Sequence, residues 1–176
     1  TILEFCLLHS ITLVPKHLPG GLNVLADRGS RSDPITTEWS LDKETFGWLS
    51  SLAGPFQVDL FATRENTQLP SFVSPFPDPW AIEVNALSLH WGTWDKLYLF
   101  PPSSIMGEVV ARLQHYNGRG ILVAPLYAQS SWFPSLLLRS PNPISLPLGH
   151  SLSQMTNKGL VFHHNPSIFN LHAWRL

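Results

Sequence analysis

Residues 96–124 read KLYLFPPSSIMGEVVARLQHYNGRGILVA, and the fold class turns on how this stretch is parsed. Lys96 to Phe100 has the makings of a strand, and Pro101-Pro102 stops it because proline cannot donate to a sheet ladder. Ser103 and Ser104 are then placed to cap a helix whose Ile105, Met106, Val109, Val110, Leu113 and Tyr116 share one face. Glu108 and Arg112 fall at i,i+4 on the outer side, where they are expected to pair. Asn117-Gly118 ends the helix, and Ile121 to Ala124 is an all-apolar run of the kind buried on both faces of a parallel sheet. Strand, helix and strand in this order form a βαβ unit, right-handed almost by rule, with its ligand edge at the carboxyl ends of the strands. Pro101-Pro102 and Pro125-Leu126-Tyr127 both lie on that edge. The fold class is therefore read as α/β: a small Rossmann-like, mostly parallel sheet with flanking helices.

Working outward, Ser40 is read as the N-cap of a helix carrying Leu41, Thr45, Trp48, Leu49 and Leu52 on one face, with Asp42 and Glu44 in its first turn and Gly54-Pro55 at its end. Phe56 to Phe61 reads as a strand, followed by a proline-rich traverse from Pro70 to Pro79. Downstream come a helix from about Trp132 to Leu138, a proline-rich loop through Pro147, and a terminal apolar stretch ending Leu171-His172-Ala173-Trp174. At the other end, Ile2 to Leu8 reads as a short helix, Ile11 to Val14 as a strand, and Pro19-Gly20-Gly21 as a turn into a helix starting near Leu22 or Asn23. The polar segment 32–40, broken by Pro34, is expected to be a linker between a module at 1–31 and a domain at 41–176.

Composition narrows the class further. The 176 residues carry 11 Lys plus Arg against 12 Asp plus Glu, a net charge of −1, which excludes a stand-alone basic nucleic-acid module. Charged residues are 13% of the chain, well short of the roughly 25% usual in soluble domains. Sixteen prolines and eleven glycines rule out a coiled coil, and no apolar run reaches the ~20 residues of a bilayer span. The single Cys6 excludes a disulfide framework and a thiolate zinc cluster and reads as a small buried hydrophobe in a reducing, intracellular setting, cytoplasm or nucleus. No targeting signal is legible in the opening run, which starts at Thr1, and the chain reads as an excised piece of something larger.

The segment from His17 to Arg31 contains Pro19-Gly20, Asn23, Ala26-Asp27 and Ser30-Arg31. It resembles the C-terminal end of the ribonuclease H domain in retroelement polyproteins, which closes on a PG-x-x-N-x-x-AD-x-x-SR pattern. The resemblance matches Asp27 to the last of the acidic residues that hold two Mg²⁺ ions; a solvated Asp on a helix is the alternative. Two-metal hydrolysis needs several oxygen ligands around each ion, so Asp27 acts only with acidic residues from upstream.

A second group of residues points elsewhere. Phe56-Gln57-Val58-Asp59-Leu60-Phe61-Ala62 with Asn66, Trp91, Leu97 to Ser103 with Ile105, and Val123-Ala124-Pro125 with Trp132-Phe133 stand in a recognisable order. Together they resemble the domain, akin to phage adenine-N6 DNA methyltransferases, that follows ribonuclease H in DIRS-type tyrosine-recombinase retrotransposons. The ending from Leu171 to Leu176 is similar to that domain's exit towards the recombinase. The resemblance implies S-adenosylmethionine as cofactor of an active relative. It also implies polyprotein partners: reverse transcriptase and ribonuclease H upstream, a recombinase downstream, and DNA or RNA, with no membrane.

In adenine methyltransferases the strand ends in Asp or Asn, then Pro-Pro, then an aromatic residue. The exocyclic amine of adenine is a poor nucleophile because its lone pair is delocalised into the ring, so the Asp or Asn oxygen and a proline carbonyl accept its hydrogens while the aromatic stacks on the flipped base. Here Phe100 stands at the acceptor position and Ser103 at the stacking position around Pro101 and Pro102. Phe offers no acceptor and a hydroxyl offers no face. A positioned acceptor is worth about 10²–10⁴-fold in rate, so methyl transfer is expected to be lost on a surviving scaffold. Asp59 and Asn66 are candidates for a nucleoside-binding edge, since a carboxylate at a strand's carboxyl end can hold ribose hydroxyls; for Asp59, capping the following turn is the stronger expectation. The function read here is a degenerate methyltransferase-like module with a structural or nucleic-acid-associated role. Two alternatives stay open: an active S-adenosylmethionine-dependent adenine methyltransferase, and ribonuclease H activity when upstream residues complete it.

Other signals are weaker. His163-His164 with His172 could suggest zinc, but adjacent histidines on an extended segment are expected to face opposite ways. The seven tryptophans are read as core rather than as a base-stacking platform. Lys96, Arg112, Arg119, Arg139, Lys158 and Arg175 are scattered singly, with no run to track phosphates.

Overall fold

The computed structural model describes Cys6, Leu8, Thr12 and residues 39–147, 149–156 and 159–176. The chain divides into two compact units, Thr1–Pro34 and Ile35–Leu176. In the first, Cys6 and Leu8 are helical, Cys6 is buried, and Thr12 is in neither helix nor strand. The rest of the elements expected there, with Asp27, lies outside the described residues.

The second unit is built on strands β1 (Ser40–Leu41), β2 (Val58–Asp59), β3 (Val73–Ser74), β4 (Glu83–Val84), β5 (Lys96–Leu99) and β6 (Arg119–Pro125). It continues through β7 (Ile144–Ser145), β8 (Leu152–Thr156), β9 (Gly159–Phe162) and β10 (Leu171–Arg175). Helices α1 (Lys43–Ala53), α2 (Met106–Leu113) and α3 (Phe133–Arg139) flank them. The central sheet runs β2-β5-β6-β10-β7. Its first three strands are parallel, and β10 is antiparallel to both of its neighbours. The sheet is thus mixed rather than uniformly parallel, because the terminal strand inserts beside β6 in the reverse sense. A separate antiparallel sheet, β1-β8-β9, and a parallel β3-β4 pair complete the strands.

Side-chain alternation sorts the core into two layers. Leu97, Leu99, Leu122, Ala124 and Trp174 pack with Met106, Val109, Val110 and Leu113 of α2 and Leu136 of α3. Tyr98, Ile121, Val123 and Ala173 point the other way, onto Leu49 of α1 and onto Leu41 and Leu152 of the small sheet. Residues 121–124 are fully buried because both faces of β6 are covered, which is the environment their unbroken apolar run requires. Trp174, also fully buried, donates its indole N–H to the Ala124 carbonyl at 3.2 Å.

Several boundaries differ from the sequence reading, each for a local reason. The cap of α1 is Asp42, not Ser40: Asp42 accepts from the Thr45 N–H at 2.8 Å, while Ser40 pairs with Ser153 in β1. Ser40 therefore belongs to the second unit's sheet, not to a linker. The strand expected over Phe56–Phe61 is regular only at Val58–Asp59, since Leu60 and Phe61 turn away. Ser103 and Ser104 make no side-chain cap; they form a 3-10 turn, Ser103–Ile105, that leads into α2. That helix ends at Leu113 rather than at Asn117. The expected Glu108–Arg112 pair does not form, because the Arg112 guanidinium donates to the Leu89 carbonyl and lies 5.8 Å from the Trp91 ring centre. The loop after α3 contains β7, and β8 and β9 form an antiparallel hairpin that has no counterpart in the sequence reading.

Candidate functional site

The carboxyl ends of β2, β5 and β6 form one edge. Asp59 closes β2 in register with Tyr98 of β5, and Phe100 follows one residue after β5 ends. Asp59 is 2% exposed, and its Oδ2 accepts the Gln68 N–H at 3.0 Å, tying the carboxylate to the loop that returns from β2. Asn66 sits in that loop with its Oδ1 accepting from the Thr63 N–H at 2.6 Å and the Thr63 hydroxyl at 3.3 Å. Gln68 Nε2 then donates to Ser40 Oγ at 2.8 Å and to the Leu41 carbonyl at 2.6 Å, so the loop is laced to β1.

These bonds leave little space. Asp59, Asn66, Gln68, Tyr98, Phe100 and Trp39 surround a cell of about 10 Å³, close to the minimum that one water needs. The Tyr98 hydroxyl is buried with no hydrogen-bond partner. Burial, reinforced by the nearby Asp59 charge, raises its pKa well above the ordinary phenol range. Phe100 and Trp39 also line a second cavity of about 140 Å³, walled by Pro101, Pro102 and Ser103 with Val123, Pro125 and Phe169. Lys and Arg are missing from the lining of both cavities.

The structure therefore brings Asp59, Asn66, Phe100, Pro101, Pro102 and Ser103 to one edge, and Asp27 lies outside the described residues. Sequence reasoning missed Trp39, which it grouped with the other tryptophans and placed in a linker. Its position depends on β1 pairing with β8, and a two-residue strand leaves no periodic signal. The histidine expectation is also corrected: the His163 and His164 rings stack, 4.9 Å apart and 18° from parallel, because the chain has left β9 and is no longer extended. His172 Nε2 lies 3.1 Å from Ser145 Oγ. Among the described residues no cluster of three His, Cys, Asp or Glu is arranged as a metal set, and no helix is long and apolar enough to cross a membrane.

The chain is 26% identical over 105 residues to the DNA N-6-adenine-methyltransferase of Escherichia phage T1, a match spanning 57% of this chain. The similarity supports a methyltransferase-like domain. The chain spans 41% of that relative's length. The mixed sheet with its flanking helices is compatible with a methyltransferase-like fold. No protein-family description matches the chain, and no solved structure matches it.

The match raises the question of S-adenosylmethionine, and the cavities described at this edge are smaller than that cofactor needs. Sites for ligands of that size occupy roughly 300–1,000 Å³. The cavities at this edge measure about 140 and 10 Å³, and the carboxylate that could hold a ribose is already bonded to Gln68.

Proposed function

We propose that this chain carries a methyltransferase-like module that does not transfer methyl groups and that serves a structural or nucleic-acid-associated role within a retroelement polyprotein. The observation that carries the reading is Phe100. It stands at the end of β5, directly before Pro101-Pro102, where an adenine methyltransferase holds the oxygen that accepts the N6 hydrogens. Without that acceptor the amine keeps its lone pair in the ring, and Phe100 instead lines both cavities at this edge.

Residues 1–31 belong, in this proposal, to the end of a ribonuclease H domain, with Asp27 acting on Mg²⁺ only alongside acidic residues from upstream. Reverse transcriptase and recombinase regions of the same intracellular polyprotein are the proposed partners, together with DNA or RNA. Reverse-transcriptase motifs before Thr1 and a tyrosine recombinase after Leu176 in the reading frame support this origin; an unrelated frame on both sides removes it.

The decisive experiment is titration calorimetry with S-adenosylmethionine, paired with an assay for N6-methyladenine in duplex DNA. The expected result is no saturable heat at millimolar cofactor and no product. Saturable binding with methylated product establishes instead an active adenine methyltransferase, the reading that the phage similarity favours.

A further inference from the structure

At the opposite, amino-terminal end of β5 and β6 lies a cleft of about 830 Å³ that the methyltransferase-like edge does not use. One wall is the outer stripe of α2 and the turn after it, where Glu108, Ala111, Arg112 and His115 recur at helical spacing. The other wall is the segment before β5, with His90, Trp94 and Asp95.

The floor is rigid. Trp91 is buried with its indole N–H on the Ala86 carbonyl at 2.8 Å. The buried Tyr116 reaches the carbonyls of Trp94 and Arg119, each at 3.1 Å. Its hydroxyl lies where a side chain on Gly118 would begin, 2.1 Å from an added Cβ, so only glycine leaves the ring in place.

The charges on this cleft are uneven. Asp95 is mounted by its backbone, which accepts from the Arg119 N–H at 2.8 Å and donates to Gln57 Oε1 at 2.7 Å, while its exposed carboxylate makes no bond among the described residues. Glu108 is exposed and likewise unbonded among the described residues. The one guanidinium, Arg112, is held back against Leu89 and the face of Trp91. Two carboxylates and one cation leave a net charge of −1 with the histidines counted neutral.

We propose that this cleft binds a basic polypeptide segment, whose guanidinium or ammonium groups reach Asp95 and Glu108 while their alkyl stems lie along Trp94 and Ala111. Charge complementarity selects the class of partner, and aromatic walls favour a cation over a neutral chain. The volume exceeds what one side chain needs and lies within the range of ligand-binding clefts. The proposal is independent of whether the carboxyl edge binds S-adenosylmethionine.

The test is fluorescence anisotropy with labelled hexa-arginine, and with hexaglutamate and a single-stranded oligonucleotide as competing probes, at low and at physiological salt. Saturable hexa-arginine binding is expected, weakened by salt and reduced at least tenfold in the double variant Asp95→Asn, Glu108→Gln. Ala111→Trp, which fills the cleft from an exposed helix position, is expected to abolish it while leaving the melting temperature unchanged. Absence of hexa-arginine binding overturns the proposal. So does binding that both variants leave intact, and so does oligonucleotide binding that requires Arg112 and outcompetes the basic peptide.

Discussion

Asp42 and Ser151 are 109 residues apart in sequence and bonded in both directions: the Ser151 N–H donates to Asp42 Oδ2 at 2.8 Å, and the Asp42 N–H donates to the Ser151 carbonyl at 3.1 Å. The same carboxylate accepts from the backbone and hydroxyl of Thr45, each at 2.8 Å. One side chain therefore caps α1 and joins it to the approach of β8.

Replacing Asp42 tests that double role. Asp42→Ala is expected to cost about 1–2 kcal/mol as a lost cap, with a further loss from the freed Ser151 N–H. Asp42→Asn retains acceptor capacity and is expected to cost less. Denaturant melts of the two variants check the ranking, and equal losses refute it.

Acid stability follows from the same group. Burial pushes the Asp42 carboxyl up, but the bonds from Ser151 and Thr45 outweigh it and hold the folded pKa below the ordinary value. A depressed folded pKa contributes stability that is present above the unfolded pKa of about 4 and is lost as pH falls through the folded one. Melting temperatures below pH 4 are expected to fall more steeply for the natural protein than for Asp42→Asn; parallel curves contradict this.

Tyr116, alongside Tyr98, contributes to alkaline stability. Burial first, and the Asp95 charge second, push its phenol up to about 12. A raised folded pKa gives stability that is complete below the unfolded value of about 10 and is lost as pH climbs through 12. Loss of structure is expected to begin above pH 10 and to be blunted in Tyr116→Phe, as read by circular dichroism across pH 9–12.

Tyr98 gives an opposite kind of variant. Its hydroxyl is buried without a partner, so Tyr98→Phe removes a desolvated polar group and keeps the ring that packs edge-on to Phe46 at 5.0 Å. Stability is expected to be unchanged or higher by up to about 1 kcal/mol. A loss above 1 kcal/mol shows that the hydroxyl has a bonded role after all.

Gly120 is held by backbone rather than by conformation. An added Cβ would stand 2.3 Å from the Leu97 carbonyl oxygen, its register partner on β5. Gly120→Ala is expected to cost about 1–3 kcal/mol by forcing two parallel strands apart. A melting curve within error of the natural protein removes the argument.

The βαβ unit was legible because its signals are local. Met106, Val109, Val110 and Leu113 repeat at helical spacing, and residues 121–124 are apolar without interruption. The same locality misleads at Ser40, a good capping residue two positions before the true cap, whose backbone pairs with Ser153 instead. The β8-β9 hairpin was missed because Leu160, Val161 and Phe162 are all exposed, so no alternation betrays a buried face. At the candidate site, the meeting of Asp59 with Phe100 followed from reading both as strand ends. The cleft at the far end was invisible, since His90 and Asp95 come from the stretch before β5 and Glu108 and His115 from α2 and the turn after it, and no local pattern joins the two.

The insertion of β10 between β6 and β7 carries a consequence for synthesis on the ribosome. Strands β2, β5 and β6 emerge early and can associate, yet the flank of β6 stays bare until residues 171–175 have cleared the exit tunnel. Throughout that interval the nascent chain presents an open apolar edge, the kind of surface that chaperones hold and that neighbouring chains on a polysome can capture. Closure of the central sheet therefore waits on residues 171–175, and with them on the arrival of a single buried tryptophan, Trp174.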